Sequence, residues 1–212
     1  VKNLGVLPNA APFRVDFYLS ADSTITTGDL LLGSRTVTAA LAYGATDSAT
    51  VQLEIPPTLA PGSRRVGVIV DAGGAVPELL ETNNAAATSS LDLKPDLVPV
   101  SVVVSAAGRT VTMTETVRND GALPAKASFV VDLRLSSDVS ISTSDPLLGR
   151  RTVAANLAPG AASTGVTIWT APASLAAGKY YGGTIVDGTG TISEISETNN
   201  KKASSASVSI GP

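Results

Sequence analysis

The chain carries one sequence twice. Residues 1–84 lie over residues 117–200 at a constant offset of 116 without a gap. VKNLGVLP returns as VRNDGALP, VDFYLSAD as VDLRLSSD, LLGSRTV as LLGRRTV, and GAVPELLETNN as GTISEISETNN. About half of the aligned positions are identical. A fixed period of this kind marks tandem units rather than one globule. The offset puts a complete unit near 116 residues and divides the chain into residues 1–93 and residues 94–212.

Within the second copy, apolar residues alternate with small polar ones over short runs, which is the strand period. The runs predict seven strands, at Leu97–Ser105, Arg109–Arg118, Ser128–Leu135, Arg151–Ala155, Ala162–Thr170, Lys179–Val186 and Ala203–Ile210. Gly, Pro and Asn turns separate them, among them Asn119-Asp120-Gly121, and no segment carries a helical period. Seven short strands in a unit of this size imply an all-β fold, two tandem immunoglobulin-like antiparallel sandwiches. The run from Leu175 to Tyr180 fits the corner before the sixth strand, where a tyrosine hydroxyl bonds back to the preceding loop. The first copy has Arg64 and Arg65 where the second has Tyr180 and Tyr181, which predicts a weaker corner there.

The ordered motifs resemble those of the CARDB family, the cell-adhesion-related domain found in bacteria. They are V-x-N-x-G with Asn119 and Gly121, the LS-x-D step with Ser136 and Asp138, and the D-x-LLG step with Asp145 and Gly149. Gly178 before the sixth strand follows, then Asp187 with Glu194, Glu197, Asn199 and Asn200, and partners 116 lower stand in the first copy. The resemblance implies an Ig-like module of prokaryotic surface proteins, used in tandem and without catalysis.

The two copies differ at their starts. Residues 96–116 of the second copy have no counterpart in the first, which therefore lacks its first strand and most of its second. Such a unit exposes an apolar cleft and unpaired sheet edges. Two expectations follow: the chain is cut from a longer polypeptide, or a strand from a neighbouring molecule fills the cleft. Gly211-Pro212 falls near where Lys94-Pro95 ends the first copy, so a further unit is expected after it.

Composition removes several chemistries. No cysteine is present, hence neither disulfides nor thiolate metal sites, and no histidine, the usual general base. A net charge of -3 supplies no basic stripe for nucleic acid. No stretch reaches the length of a membrane span, so the protein is expected not to be membrane-embedded. Glu194 and Glu197 could in principle serve a glycosidase, but the same pair recurs as Glu78 and Glu81, in turns without sugar-stacking aromatics. With three Phe, four Tyr and one Trp in the chain, and Trp169 alternating inward, the expectation is no enzyme.

The remaining candidates are acidic. Asp22 and Asp29, repeated as Asp138 and Asp145, bracket Ser/Thr-rich turns after the third strand and offer hard oxygens to calcium, the one cofactor considered. The competing role is that each carboxylate accepts N–H groups of its own turn. A second group is Asp71, Glu78, Glu81, Asn83 and Asn84, repeated as Asp187, Glu194, Glu197, Asn199 and Asn200, read as structural turn residues or as a calcium joint between units. The expected function is structural. The chain is read as an extracellular or cell-surface module of a prokaryote, part of a tandem-repeat stalk, fibre or filament. Its partners are neighbouring repeats or copies of the same protein. The alternative is a calcium-dependent adhesin module that binds a cell-surface glycan or protein.

Overall fold

The computed structural model describes residues 1–9 and 12–211, so the expectation resting on Pro212 lies outside the described residues. The chain divides into two compact units, Val1–Asp92 and Leu93–Pro212. Every regular element among the described residues is a strand or a single bridge, and no helix is long and apolar enough to cross a membrane. The chain is all-β.

In the first unit the strands are β1 (Phe13–Ser20), β2 (Leu30–Val37), β3 (Gly62–Val70), β4 (Ala85–Ala87) and β5 (Leu91–Leu93). They form one antiparallel sheet in the order β2-β1-β3-β4, with β5 also on β3. Phe13, Val15, Val37 and Leu41 make its small buried core.

In the second unit the strands are β6 (Leu97–Ala107), β7 (Thr110–Asn119), β8 (Phe129–Ser136), β9 (Leu147–Val153), β10 (Ala162–Thr170), β11 (Gly178–Val186) and β12 (Lys201–Ile210). One sheet has the order β10-β7-β6 and the other β12-β11-β8-β9, the two layers of an Ig-like sandwich. Inward residues of both sheets meet in the core, with Leu97, Val102, Met113 and Val117 from the first and Phe129, Val131, Leu133 and Val186 from the second. Trp169 packs on this core from the partly buried side of β10, over Gly149, where any β-carbon would collide with the indole.

Seven strands in the second unit match the sequence reading, with ends within two residues of those predicted except at the start of the fourth. The fourth strand starts at Leu147 rather than Arg151, because the ladder with β8 continues through Arg134 by way of a register shift between Leu133 and Arg134. The first unit has the same shift between Phe17 and Tyr18, 116 residues earlier. A bulge at the same place in both copies is a feature of the design, one that tightens the local twist.

Two ties fix the ends of the second unit's hairpin. At its entry, Asp120 N–H donates to Asp96 O at 2.7 Å, Ala122 N–H to Lys94 O at 3.0 Å, and Ile195 N–H to Pro95 O at 3.0 Å. At its tip, the Arg109 guanidinium donates to the carbonyls of Ala171, Pro172, Leu175 and Gly211, and Gly211 N–H donates to Gly108 O at 3.2 Å.

Candidate functional site

The loop after the third strand position is built by its aspartates. In the first unit Asp22 Oδ1 accepts Thr24 N–H at 2.7 Å, and Asp29 Oδ2 accepts both the N–H and the hydroxyl of Thr26 at 2.7 and 3.2 Å. The Thr26 backbone N–H, with help from the Ser20 hydroxyl, holds the Asp29 carboxyl below the usual carboxylate range. In the second unit Asp138 Oδ1 accepts Ser140 N–H at 2.7 Å, and Asp145 Oδ2 accepts the N–H and hydroxyl of Ser142 at 2.7 and 3.2 Å. All four aspartates thus close their own turns, as short acidic side chains do. Among the described residues no group of three or more Asp, Glu, His or Cys side chains is placed to hold a metal ion.

One residue here escaped the sequence reading. Arg134, on β8, sends one guanidinium nitrogen to the carbonyls of Thr143 and Asp145, both at 2.8 Å, and another to Asp132 at 2.6 Å. Its counterpart is Tyr18, whose hydroxyl lies 3.3 Å from Asp16 Oδ2. The signal was available: in the strand run VVDLRLS an arginine stands two residues after an aspartate, on the same face of the strand, and a buried arginine needs such acceptors.

The second acidic group organises the opposite turns. Asp71 and Asp187 both have positive φ, 50° and 45°, and both carboxylates accept two backbone N–H groups, from Ala75 and Val76 and from Thr191 and Ile192. Beyond them the copies diverge. Glu194 is 3% exposed; Oε1 accepts Asn200 Nδ2 at 3.0 Å and Oε2 accepts Leu97 N–H, the first amide of β6, at 2.5 Å. Burial pushes its carboxyl up to about 7, against the lowering effect of these two donors. In the first unit Asn84 still donates to Glu78 at 2.5 Å, but the pair is exposed and no β6 lies above it.

An asparagine hub shows the same divergence. Asn119 Nδ2 donates to Leu123 O at 2.8 Å and Leu157 O at 2.9 Å, and Oδ1 accepts the N–H groups of Gly121 and Asp96, both at 3.0 Å. Asn3 repeats the first three bonds with Leu7, Leu41 and Gly5. The fourth has no counterpart, and Leu7 is 75% exposed where Leu123 is 1% exposed.

The first unit has an open groove of 420 Å³ lined by Phe17, Val51, Leu53, Val66, Val68 and neighbouring small residues. At the homologous face of the second unit, β6 and β7 are in place: a β-carbon at Gly182 would lie 2.8 Å from Val104 Cβ and 3.0 Å from Met113 Cε. Gly182 is the counterpart of Val66. Among the described residues the first unit has no counterpart of β6 and most of β7, and its inner face is open where that of the second is covered. Loss of that partner also dissolves a strand. Residues 162–170 pair with β7 throughout their length, whereas in residues 46–54 only the Lys2 to Thr46 bridge remains.

A family model, CARDB, matches residues 1–88 and again residues 94–204. Among solved structures, the chain is similar to the CARDB domain of the PF1109 protein from Pyrococcus furiosus in complex with di-metal ions. Identity there is 20%, over 57% of this chain and 97% of that one, with a TM-score of 0.43. It is also similar to the 272–376 domain of a putative cell surface protein from Methanosarcina acetivorans, 27% identical over 55% of this chain and 92% of that one, with a TM-score of 0.41. No curated protein matches the chain. The two model matches, one in each unit and together spanning most of the sequence, place the chain in the CARDB family.

Proposed function

We propose that the chain is structural material: a stretch of a tandem-repeat stalk, fibre or filament outside a prokaryotic cell, whose partners are neighbouring repeats or other copies of the protein. Membership in a family of non-catalytic adhesion domains supports this reading. The observation that carries it is repetition in detail. The Asn hub, the Asp71 and Asp187 turns and the β-bulge all recur at one spacing. Function then follows from length and number rather than from a pocket. Electron microscopy of the native material tests it: ordered filaments or stalks are expected, and isolated particles without serial order would overturn it.

A second reading, a calcium-dependent adhesin for a glycan or protein ligand, is favoured by one observation and only in the first unit. Asp138 and Asp145 share their loop with the Arg134 cation, which repels a metal, whereas the first unit has the neutral Tyr18 at that position. Isothermal titration of calcium into chelated protein decides it. Heat that disappears in Asp29→Asn would support a site, and no heat at millimolar calcium would leave all four aspartates as turn formers.

A further inference from the structure

The second unit has four strands at sheet edges, β10 and β6 in one sheet and β12 and β9 in the other. An edge strand offers a row of unpaired amides and carbonyls, and charges, prolines and bulges are what keep a foreign strand off it. Three of the four carry such devices. β6 has Pro99 and a register shift between Pro99 and Ser101, and β12 has Lys201 and Lys202 and pairs with β11 through a shift between Tyr181 and Gly183. β9 has Arg150 and Arg151 and the shift opposite Leu133 and Arg134. β10 has none of them: ASTGVTIWT is uncharged, lacks proline and runs beside β7 through nine residue pairs in unbroken register.

The ladder also fixes which groups of β10 are free. The bonds at its two ends, Asn119 N–H to Ala161 O at 3.0 Å and Ala171 N–H to Arg109 O at 2.8 Å, turn the backbone groups of the odd-numbered residues toward β7. Alternate residues of an antiparallel strand point their N–H and C=O the other way, and here these are Thr164, Val166, Ile168 and Thr170. The same four side chains are exposed on the outer face of the sheet, Val166 and Ile168 at 64% each.

We propose that the free edge of β10 pairs antiparallel with β10 of a second copy of this chain, about a two-fold axis at Thr167. The proposal deepens the structural reading above, on which it rests, by naming a side-to-side contact between copies. In that register Val166 of each copy stands opposite Ile168 of the other, and Thr164 opposite Thr170, so aliphatic meets aliphatic and hydroxyl meets hydroxyl. Each of these pairs exchanges two backbone bonds. Moving the axis by one residue, to Val166 or Ile168, sets an aliphatic side chain against threonine. Neighbouring charge is already neutralised. The arginines of β9, which lies beside β10 in the facing sheet, are both turned onto carboxylates of their own unit, Arg150 onto Asp132 at 2.8 Å and Arg151 onto Glu115. One strand pair is smaller than the contact a stable dimer needs, so the pairing is weak between single chains and gains strength where repeats offer many edges in series.

The test is sedimentation equilibrium of the full chain up to millimolar concentration, with amide exchange read residue by residue by NMR. A reversible dimer is expected. In it the amides of Thr164, Val166, Ile168 and Thr170 gain protection with concentration, by about five-fold or more, whereas Thr167, bonded to β7 in the monomer, does not change. Val166→Lys with Ile168→Lys sets like charges opposite one another and should weaken the dimer by about ten-fold or more. Val166→Lys with Ile168→Glu sets opposite charges together in this register and should return it to within about three-fold of the parent. Both positions face solvent, so each variant should keep the parent's unfolding midpoint, followed by Trp169 fluorescence. A chain that stays monomeric at millimolar concentration would overturn the proposal. So would a dimer indifferent to the two lysines, or one lost as fully with lysine and glutamate as with two lysines. Serial filaments whose β10 edges stay unprotected would overturn the pairing and leave the structural role standing, and edge-paired dimers in native material without serial order would do the reverse.

Discussion

The two units are close to a controlled experiment: one sequence pattern folded twice, once with β6 and β7 above it and once without. The β8–β9 and β1–β2 hairpins have the same register and the same bulge in both, so those ladders need only each other. The 46–54 segment needs β7 and loses its strand without it. Along β11, Gly182, Gly183, Thr184, Ile185 and Val186 are buried, whereas along β3 only Gly67 is. Local pairing survives the loss of a layer, and burial does not. Charge pairs have moved accordingly. Arg151 reaches the fully buried Glu115 on β7, and its counterpart Arg35 pairs instead with Asp47, which is 28% exposed.

That contrast gives the largest expected effect. Arg151→Ala leaves Glu115 buried without its cation, where burial already raises its carboxyl despite Arg151, and should destabilise the second unit by about 3–5 kcal/mol. Arg35→Ala should cost the first unit less, because Asp47 keeps partial access to water, and hydrogen exchange in the first unit reads that loss. Trp169 is the sole tryptophan, so denaturant unfolding followed by its fluorescence reads the second unit alone. Comparable losses in both units would break the comparison.

Next in size is the pH dependence carried by Glu194. Its folded value, about 7, stands above the ordinary glutamate value of 4.5. The folded state therefore holds the proton more tightly. Its contribution is fully present below pH 4.5, is lost as pH rises toward 7, and amounts to at most about 3 kcal/mol. Fluorescence-monitored unfolding at several pH values should show that decline for the second unit, and Glu194→Gln should flatten it.

Smaller again is the asparagine pair. Asn119→Ala strands the carbonyls of Leu123 and Leu157 and the amides of Gly121 and Asp96, at a cost of about 2–3 kcal/mol. Asn3→Ala, with one bond fewer and more exposed partners, should cost about 1 kcal/mol, read by hydrogen exchange in the first unit.

The smallest effect lies at the corners. Tyr180 Oη donates to Ala176 O at 3.0 Å, and Arg64 reaches the matching carbonyl of Ala60 at 3.4 Å. Tyr180→Phe should cost about 1 kcal/mol, and Arg64→Ala nearly nothing, by the same denaturant and exchange measurements.

How much of this was legible beforehand follows from the range of each interaction. Alternation along Phe129–Ser136 or Ala162–Thr170 is a local property, and those strands read correctly from the sequence. The same alternation at Ala49, Val51 and Leu53 predicts a strand that is absent, because a ladder requires a partner that no local pattern can supply. Glu115 left a mark that was overlooked: it is in phase with Val111, Met113 and Val117, so its side chain had to point into the core and needed a cation there. The Tyr180 corner was readable from Leu175 and Gly178, since it is closed within a few residues. The close packing at Gly182 was not, because it rests on Val104 and Met113 meeting that glycine across three strands distant in sequence.

The ties at the two ends of the β6–β7 hairpin bear on mechanics. The chain enters the second unit bonded at Asp96 to the turn after β7, and it leaves at Gly211 held by Arg109 and Gly108 at the opposite, looped end. Tension applied through entry and exit would run lengthwise along the hairpin and load its ladders in shear. Many backbone bonds would have to fail together instead of unzipping singly, which is the loading geometry in which a β-sandwich resists pulling best.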